Sequence, residues 1–296
     1  MRICRMGVMT ILAWGLVVPI AASSEPADRV TILFDAFGER SELKKDWGFS
    51  ALIESGGKRV LFDAGNDSAA FEHNLKALGV SLKSLDGVVI SHRHGDHTNG
   101  MHHLLKVNPG VAIYVPADEH FGGPTPDRFY KRGVEALPKR LRYFDGSPPN
   151  SVPHGTAWQN SNLIRVTESR EILPGVRAIA TVSRTTGTLE MPELSLSLKV
   201  KDGQILVVGC SHTGIEPILE AAGAAKVPVR LLIGGLHLVT APEADIVRVA
   251  RSLRDTWKVA EVAPGHCTGE PGFAALMEAF GDRFVYAGLG TRIPLP

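Results

Sequence analysis

The chain runs to 296 residues, 44% of them hydrophobic and 21% charged, which excludes large-scale disorder and leaves ample apolar material for one large layered domain. Its 32 basic and 31 acidic side chains give a formal net charge of +1. That balance excludes any broad electrostatic case for nucleic acid or an acidic surface as partner, and a small-molecule substrate is the expectation.

The first residues, MRICRMGVMTILAWGLVVPIAASS, differ from everything after them. Arg2 and Arg5 form a basic start, Val8 to Ile20 an apolar run of 13 residues, and Ala21 to Ser24 a small-residue segment suited to cleavage. The run is short of the roughly 18 to 20 apolar residues that cross a bilayer. The pattern predicts a secretory signal peptide over residues 1–23, a single domain over 24–296, a periplasmic or secreted location, and no membrane span after cleavage. Cys4 precedes the apolar run, so a lipid anchor on it is not supported. Cleavage would leave 30 basic against 31 acidic residues, a net charge of −1. Only Cys210 and Cys267 would remain, too few for a disulfide framework.

From residue 29 the pattern is strand-like in VTILFDAF, GFSALIES and KRVLFDAG, with Gly56 and Gly57 as the turn between the last two. Phe71, Leu75 and Leu78 at helical spacing predict a helix ending at Gly79. LDGVVIS is a short buried strand that runs straight into SHRHGDHTNG. Met101 to Lys106 then reads as a helix and VAIYVP as a strand. Between Phe121 and Asn162 periodicity fades into glycine- and proline-rich stretches, with room for one helix around Asp127 to Leu137. This long loop either covers an active site or is a surface insertion. Strands follow at GVRAIATV, LSLSLKV and QILVVGC, then a helix from Glu216 to Ala225. VRLLIGGLH, a helix from Pro242 to Trp257, VAEVAPGHC, a helix from Phe273 to Phe280 and a strand at RFVYAG complete the chain. Two halves of strands flanked by helices predict a mixed α/β (α+β) fold, a four-layer αββα sandwich or a related arrangement.

The chemistry concentrates in H-x-H-x-D-H, here His92, His94, Asp96 and His97. Imidazole and carboxylate suit zinc and neighbouring first-row metals. A loop at a strand's end can point His92 and His94 at one ion, and Asp96 and His97 at a second. One histidine alone is usually a surface or core residue. Four such groups together need a partner to offset their desolvation. His212 and His266 each follow an apolar strand and a glycine, as candidate ligands would. Cys210 is either a ligand or a small buried residue, and Cys267 either a disulfide partner for it or a second free thiol. His237 also follows a strand and is either a proton donor and substrate contact or a structural hydrogen-bonding group. His73, His102, His103, His120 and His154 have no such context and read as structural or surface residues.

The H-x-H-x-D-H motif resembles the signature of the metallo-β-lactamase superfamily, and the likeness runs in order along nearly all of the chain. LFDAG with Asp63 looks like the superfamily's first motif, an aspartate that supports the metal loop. QILVVGCSH stands where the superfamily has a metal-bridging aspartate, and PGHC places His266 at the final histidine ligand. GFSALIE, VISHRHGDHTNG, VVGCSHTGI, IGGLHL and APGHCTG are similar to the subgroup around the 7,8-dihydropterin-6-methyl-4-(β-D-ribofuranosyl)aminobenzene 5'-phosphate synthases. Two departures stand out. LPGVRAIATVSRTTGTLEM holds no histidine where the superfamily has a lone ligand, so His212 is the candidate replacement, and Cys210 occupies the bridging carboxylate's place. The resemblance implies the αββα metallo-β-lactamase sandwich and two divalent metal ions, zinc by default with manganese or iron as alternatives. It also implies hydrolysis of an ester, amide or phosphoester by an activated water, with Asp96 orienting that water and His237 giving a proton to the leaving group. A transferase like the synthases, or a non-catalytic metal- or ligand-binding module, are the other readings.

Overall fold

The computed structural model describes residues 28–118, 130–150, 158, 161–185 and 190–296. The expected signal peptide, His120, His154 and the first part of the expected 127–137 helix lie outside the described residues.

The first half begins as an antiparallel meander of β1 (Arg29–Phe34), β2 (Ser50–Ser55) and β3 (Lys58–Phe62). Helix α1 (Ser68–Leu78) follows, capped by Asp67, whose carboxylate accepts from Ala70 N, and closed by Gly79 in the left-handed region. Then come β4 (Gly87–Val89), the single turn α2 (Gly95–Thr98), α3 (Met101–Val107) and β5 (Ile113–Pro116). The second half carries β6 (Leu163–Val166), β7 (Arg170–Leu173), β8 (Val176–Ser183), β9 (Met191–Val200) and β10 (Gly203–Val208). It ends with α4 (Ile215–Ala221), β11 (Val229–Gly234), α5 (Glu243–Asp255), β12 (Glu261–Pro264), α6 (Gly269–Phe280) and β13 (Arg292–Pro294).

The strands form two sheets, one in the order β13-β1-β2-β3-β4-β5-β6 and one in the order β12-β11-β10-β9-β8-β7. Period-two alternation decides the layering. Ala51, Ile53, Val60 and Phe62 point into the space between the sheets and meet Ile205, Val207, Leu231 and Ile233 there. Their neighbours Leu52 and Leu61 face α1 and α3, where Phe71, Leu75, Met101 and Leu104 cover the first sheet. Leu206, Val208 and Leu232 face α4, α5 and α6 across the second. The result is the αββα sandwich that the pattern predicts.

Strand polarity positions the site. β1 and β3 both pair antiparallel with β2, so they run the same way, and β4 and β5 continue parallel to β3. In the other sheet β10, β11 and β12 are parallel neighbours. The loops leaving the carboxyl ends of these strands gather on one edge of the sandwich, where open parallel sheets place their ligands.

Several expectations need correction. RFVYAG is not a strand: Phe284 makes one isolated bridge to Val262, and the strand lies further on, where β13 pairs with β1. β6, β7 and β13 are short strands absent from the expected set. No helix forms over the described part of 127–137; residues 139–141 and 143–146 make only 3₁₀ turns. α4 stops at Ala221 because Gly223, in the left-handed region, turns the chain so that Ala224 N donates to Leu219 O. α6 starts four residues before Phe273, since Pro271 sits in the first turn, where its missing N–H costs no hydrogen bond.

Candidate metal centre

Each chemistry-bearing residue stands just past a strand end: Asp35 after β1, Asp63 after β3, His92 after β4, and Cys210, His237 and His266 after β10, β11 and β12. Asp63, Ser211, His237 and His266 all hold positive φ, between 46° and 62°. Conformations of that kind cost about 1–3 kcal/mol each and gather at sites that need them. Gly209 is required by packing, since a Cβ there would lie 2.3 Å from Ser91 Oγ.

At the base lies Asp63, wholly buried. Its carboxylate accepts from Ser91 N (2.7 Å), Ser91 Oγ (2.7 Å) and His97 Nδ1 (2.6 Å). Those bonds fix two tautomers. The Ser91 hydroxyl proton is committed to the acceptor-only carboxylate, so His92 Nδ1, 2.8 Å from Ser91 Oγ, must donate. His92 and His97 therefore both carry their proton on Nδ1 and turn a bare Nε2 outward.

Around His92 Nε2 stand His94 Nδ1 at 3.1 Å and His212 Nε2 at 3.2 Å. Around His97 Nε2 stand His266 Nε2 at 3.1 Å, Cys210 Sγ at 3.2 Å and Asp96 Oδ2 at 3.7 Å, the last also 3.3 Å from His266 Nε2. Cys210 belongs to both groups, with His92 and His212 on one side and with His97 and His266 on the other, all donor atoms in each lying within 4.8 Å of one another. The structure thus brings together all seven expected ligand positions. His212, the candidate replacement for the missing upstream histidine, stands beside His92, and Cys210 lies between the two groups.

These residues fit divalent cations. Nitrogen ligands about 2.1 Å from a tetrahedral ion lie roughly 3.4 Å apart, close to the spacings seen here. Burial, followed by the neighbouring imidazoles, pushes His92 and His212 well below the usual histidine range and keeps them in the neutral form that binds metal. Burial pulls His266 down too, but Cys267 and the Asp96 carboxylate outweigh it and leave the imidazole raised.

The depressed His92 sets a pH prediction. Its neutral form is favoured by the fold, so its contribution to stability is present above the unfolded pKa of about 6.5 and is lost as pH falls toward the lower folded value. In metal-free protein, the unfolding free energy of wild type minus that of His92→Gln is expected to shrink as pH drops from 7 to 5. Paired urea titrations at each pH check this, and a difference that widened would contradict it.

Three buried groups that hold the site went unread in the sequence. Asp35 accepts from Ala36 N (2.7 Å) and His266 N (3.0 Å), and burial drives its carboxyl well above the ordinary range. A signal for it existed: ILFDAF repeats the strand-end F-D-A of VLFDAG. Glu193, on β9, accepts from His212 N (2.9 Å) and Thr213 N (2.8 Å), and burial raises it as well. Trp47, fully buried, packs its ring 4.8 Å from that of His266. Neither carries a motif. Asp35→Ala would orphan two buried amides at about 1–3 kcal/mol each, so a loss on the order of 3 kcal/mol is expected by chemical denaturation.

His237 is half-buried, its ring centroid 4.2 Å from that of His212. Cys210 and Cys267 are free thiols. His73 meets the backbone oxygen of Glu42 and His103 the carboxylate of Glu72, away from the centre. The described part of the long loop packs against Trp47, which in turn stands beside His266. Tyr130 and Tyr143 pack on Trp47, while Arg132 donates to Val239 O and Ala241 O and Arg142 pairs with Glu270 at 3.3 Å.

Comparison with known proteins agrees with this geometry. Residues 48–266 match the family model described as the metallo-beta-lactamase superfamily. The chain is 28% identical over 274 residues to the 7,8-dihydropterin-6-methyl-4-(beta-D-ribofuranosyl)-aminobenzene-5'-phosphate synthase of Methanocaldococcus jannaschii, covering 86% of this chain and 92% of the relative. It is 24% identical over 277 residues to a ribonuclease Z of Salinibacter ruber, covering 83% and 81%. The crystal structure of Tm1679, a metal-dependent hydrolase of the beta-lactamase superfamily, superposes with a TM-score of 0.66 at 22% identity over 90% of this chain and 99% of that one, a likeness of fold. With the sandwich, the strand-end histidines and the match over 48–266 in agreement, the chain belongs to the metallo-β-lactamase superfamily.

Proposed function

We propose that the protein is an exported hydrolase that uses a pair of divalent cations, zinc or else manganese or iron, on an ester, amide or phosphoester of a small molecule. The observation that carries this reading is the pair of bare Nε2 atoms, on His92 and His97, that Asp63 and Ser91 aim at two adjoining donor groups with Cys210 between them. His92, His94 and His212 would hold one cation, and Asp96, His97 and His266 the other. Such a pair, when bound, would lower the pKa of a water toward neutrality and polarise the substrate's carbonyl or phosphoryl oxygen.

The chain's own residues do the rest. Asp96 accepts a hydrogen bond from the attacking water and orients it. His237, its ring 4.2 Å from that of His212, donates a proton to the leaving group. Trp47, with Tyr130 and Tyr143 behind it, keeps bulk water from the His266 side. Export is supported by the composition of residues 1–23, and no helix among the described residues is long and apolar enough to cross a membrane. The near-zero net charge favours a small molecule over nucleic acid, in contrast to the ribonuclease Z relative.

The similarity to the synthase supports a second reading, a transferase that joins a pterin to an aminobenzene ribosyl phosphate; export counts against it, since such substrates belong to the cytoplasm. Elemental analysis of the purified chain together with a panel of ester, amide, phosphomonoester and phosphodiester substrates tests the proposal. Bound metal with turnover of one class is expected. Coupling of the two synthase substrates without hydrolysis would favour the second reading.

A further inference from the structure

The three parallel strand ends of the second sheet carry more donors than the two histidine-lined groups use. Cys210 leaves β10, His237 leaves β11 and Cys267 leaves β12, and because these strands are adjacent and parallel, their loops meet side by side. One ligand atom from each, two sulfurs and a ring nitrogen, lies within 4.8 Å of the other two. We propose that Cys210, His237 and Cys267 form a separate position for a thiophilic cation of the Zn2+, Cd2+ or Cu+ class, which shares Cys210 with the histidine-lined centre.

The packing supports it. Gly235 is held to a bare Cα because a Cβ there would lie 2.4 Å from Gly209 O and 2.7 Å from Cys267 Sγ, so that glycine lets both the β10 end and the thiol approach. Cys267 Sγ lies 3.6 Å from the carbonyl oxygen of Cys210, and neither sulfur is in a disulfide. Both thiols are almost fully buried, at 3% and 1% exposure, in a cluster closed over by Trp47, Tyr143 and Phe273. His237, half-buried at the rim, forms the side of the position nearest solvent.

Donor chemistry separates this position from its neighbours. Imidazole and carboxylate accept a broad range of divalent ions, whereas two sulfurs select soft ones. Binding is written as the cation, M2+ or Cu+, plus the two cysteine side chains giving a dithiolate complex, with one proton released for each sulfur that was a thiol and the His237 ring neutral as third ligand. No oxidant or reductant takes part. Because Cys210 is shared, occupation here would draw its sulfur away from the histidine groups and take His237 from its proton-donating role, so an excess of soft metal would disturb the centre without displacing His92, His94, His97, His212 or His266.

The test is 113Cd NMR and Cd2+ stoichiometry on the full chain, comparing wild type with Cys267→Ser, His237→Gln and the double variant His92→Ala, His94→Ala. The expected result is a thiolate-shifted resonance that persists in the double variant, disappears with loss of a bound equivalent in Cys267→Ser, and moves in His237→Gln. An identical spectrum and stoichiometry in wild type, Cys267→Ser and His237→Gln would overturn the proposal and leave both thiols as filling for the apolar cluster. Circular dichroism confirms folding of each variant; should Cys267→Ser not fold, His237→Gln at the rim decides. The readout needs no substrate, so its outcome is independent of whether the centre hydrolyses anything.

Discussion

Replacing His92 and His94 together by alanine is expected to remove cation binding at their side of the centre and to reduce hydrolysis to the uncatalysed background. Both side chains, with His212, surround one point, and His92 Nε2 has its lone pair turned toward it. Losing two of the three nitrogen ligands leaves only His212 and the shared Cys210 there, too few to retain an ion against water. Elemental analysis should show the loss directly, and turnover on whichever substrate class the wild type accepts should fall with it. The fold should survive, because His94 is half-buried and the apolar layers lie elsewhere. Full turnover in a variant shown to lack metal would refute the hydrolytic reading.

Asp63→Ala has the largest expected effect on stability. Ser91 N, Ser91 Oγ and His97 Nδ1 would lose their common acceptor in a fully buried place, and alanine would have to adopt the φ of 57° that Asp63 holds. A loss of about 3–5 kcal/mol is expected from denaturant unfolding. Asp63→Asn separates stability from ligation. The amide keeps one acceptor oxygen and tolerates positive φ, so less stability is lost. It cannot hold both imidazoles in the tautomer with bare Nε2, so cation affinity should still fall about 10–100-fold. A competition titration with a chromophoric chelator measures that. Unchanged affinity in Asp63→Asn would show that the two tautomers are set by something else.

The parts of this protein legible from the chain alone are those whose cause is local. Alternation in VTILFDAF, KRVLFDAG and QILVVGC names strands because a side chain's face depends only on its parity, and helical spacing in Phe71, Leu75 and Leu78 works in the same way. H-x-H-x-D-H is legible because four ligands in six residues are already close in space. Short strands such as LIRV and REIL were not legible, since four residues held by partners far away in sequence carry too little pattern of their own. RFVYAG misled for the converse reason, an apolar run that the fold uses for one bridge and for packing.

What the residues determined by themselves was therefore the kind of chemistry and the layered class. Which donors share a centre was decided by strand direction. Parallel β10, β11 and β12 deliver Cys210, His237 and His266 to the edge where β3 and β4 deliver Asp63 and His92, although His97 and His266 stand 169 positions apart in the chain. Asp35 and Glu193 are buried supports whose value lies in the distant amides they receive, those of His266 and His212. A hydrogen bond across such a distance depends on the closed fold, because only there do the two ends meet in the absence of water.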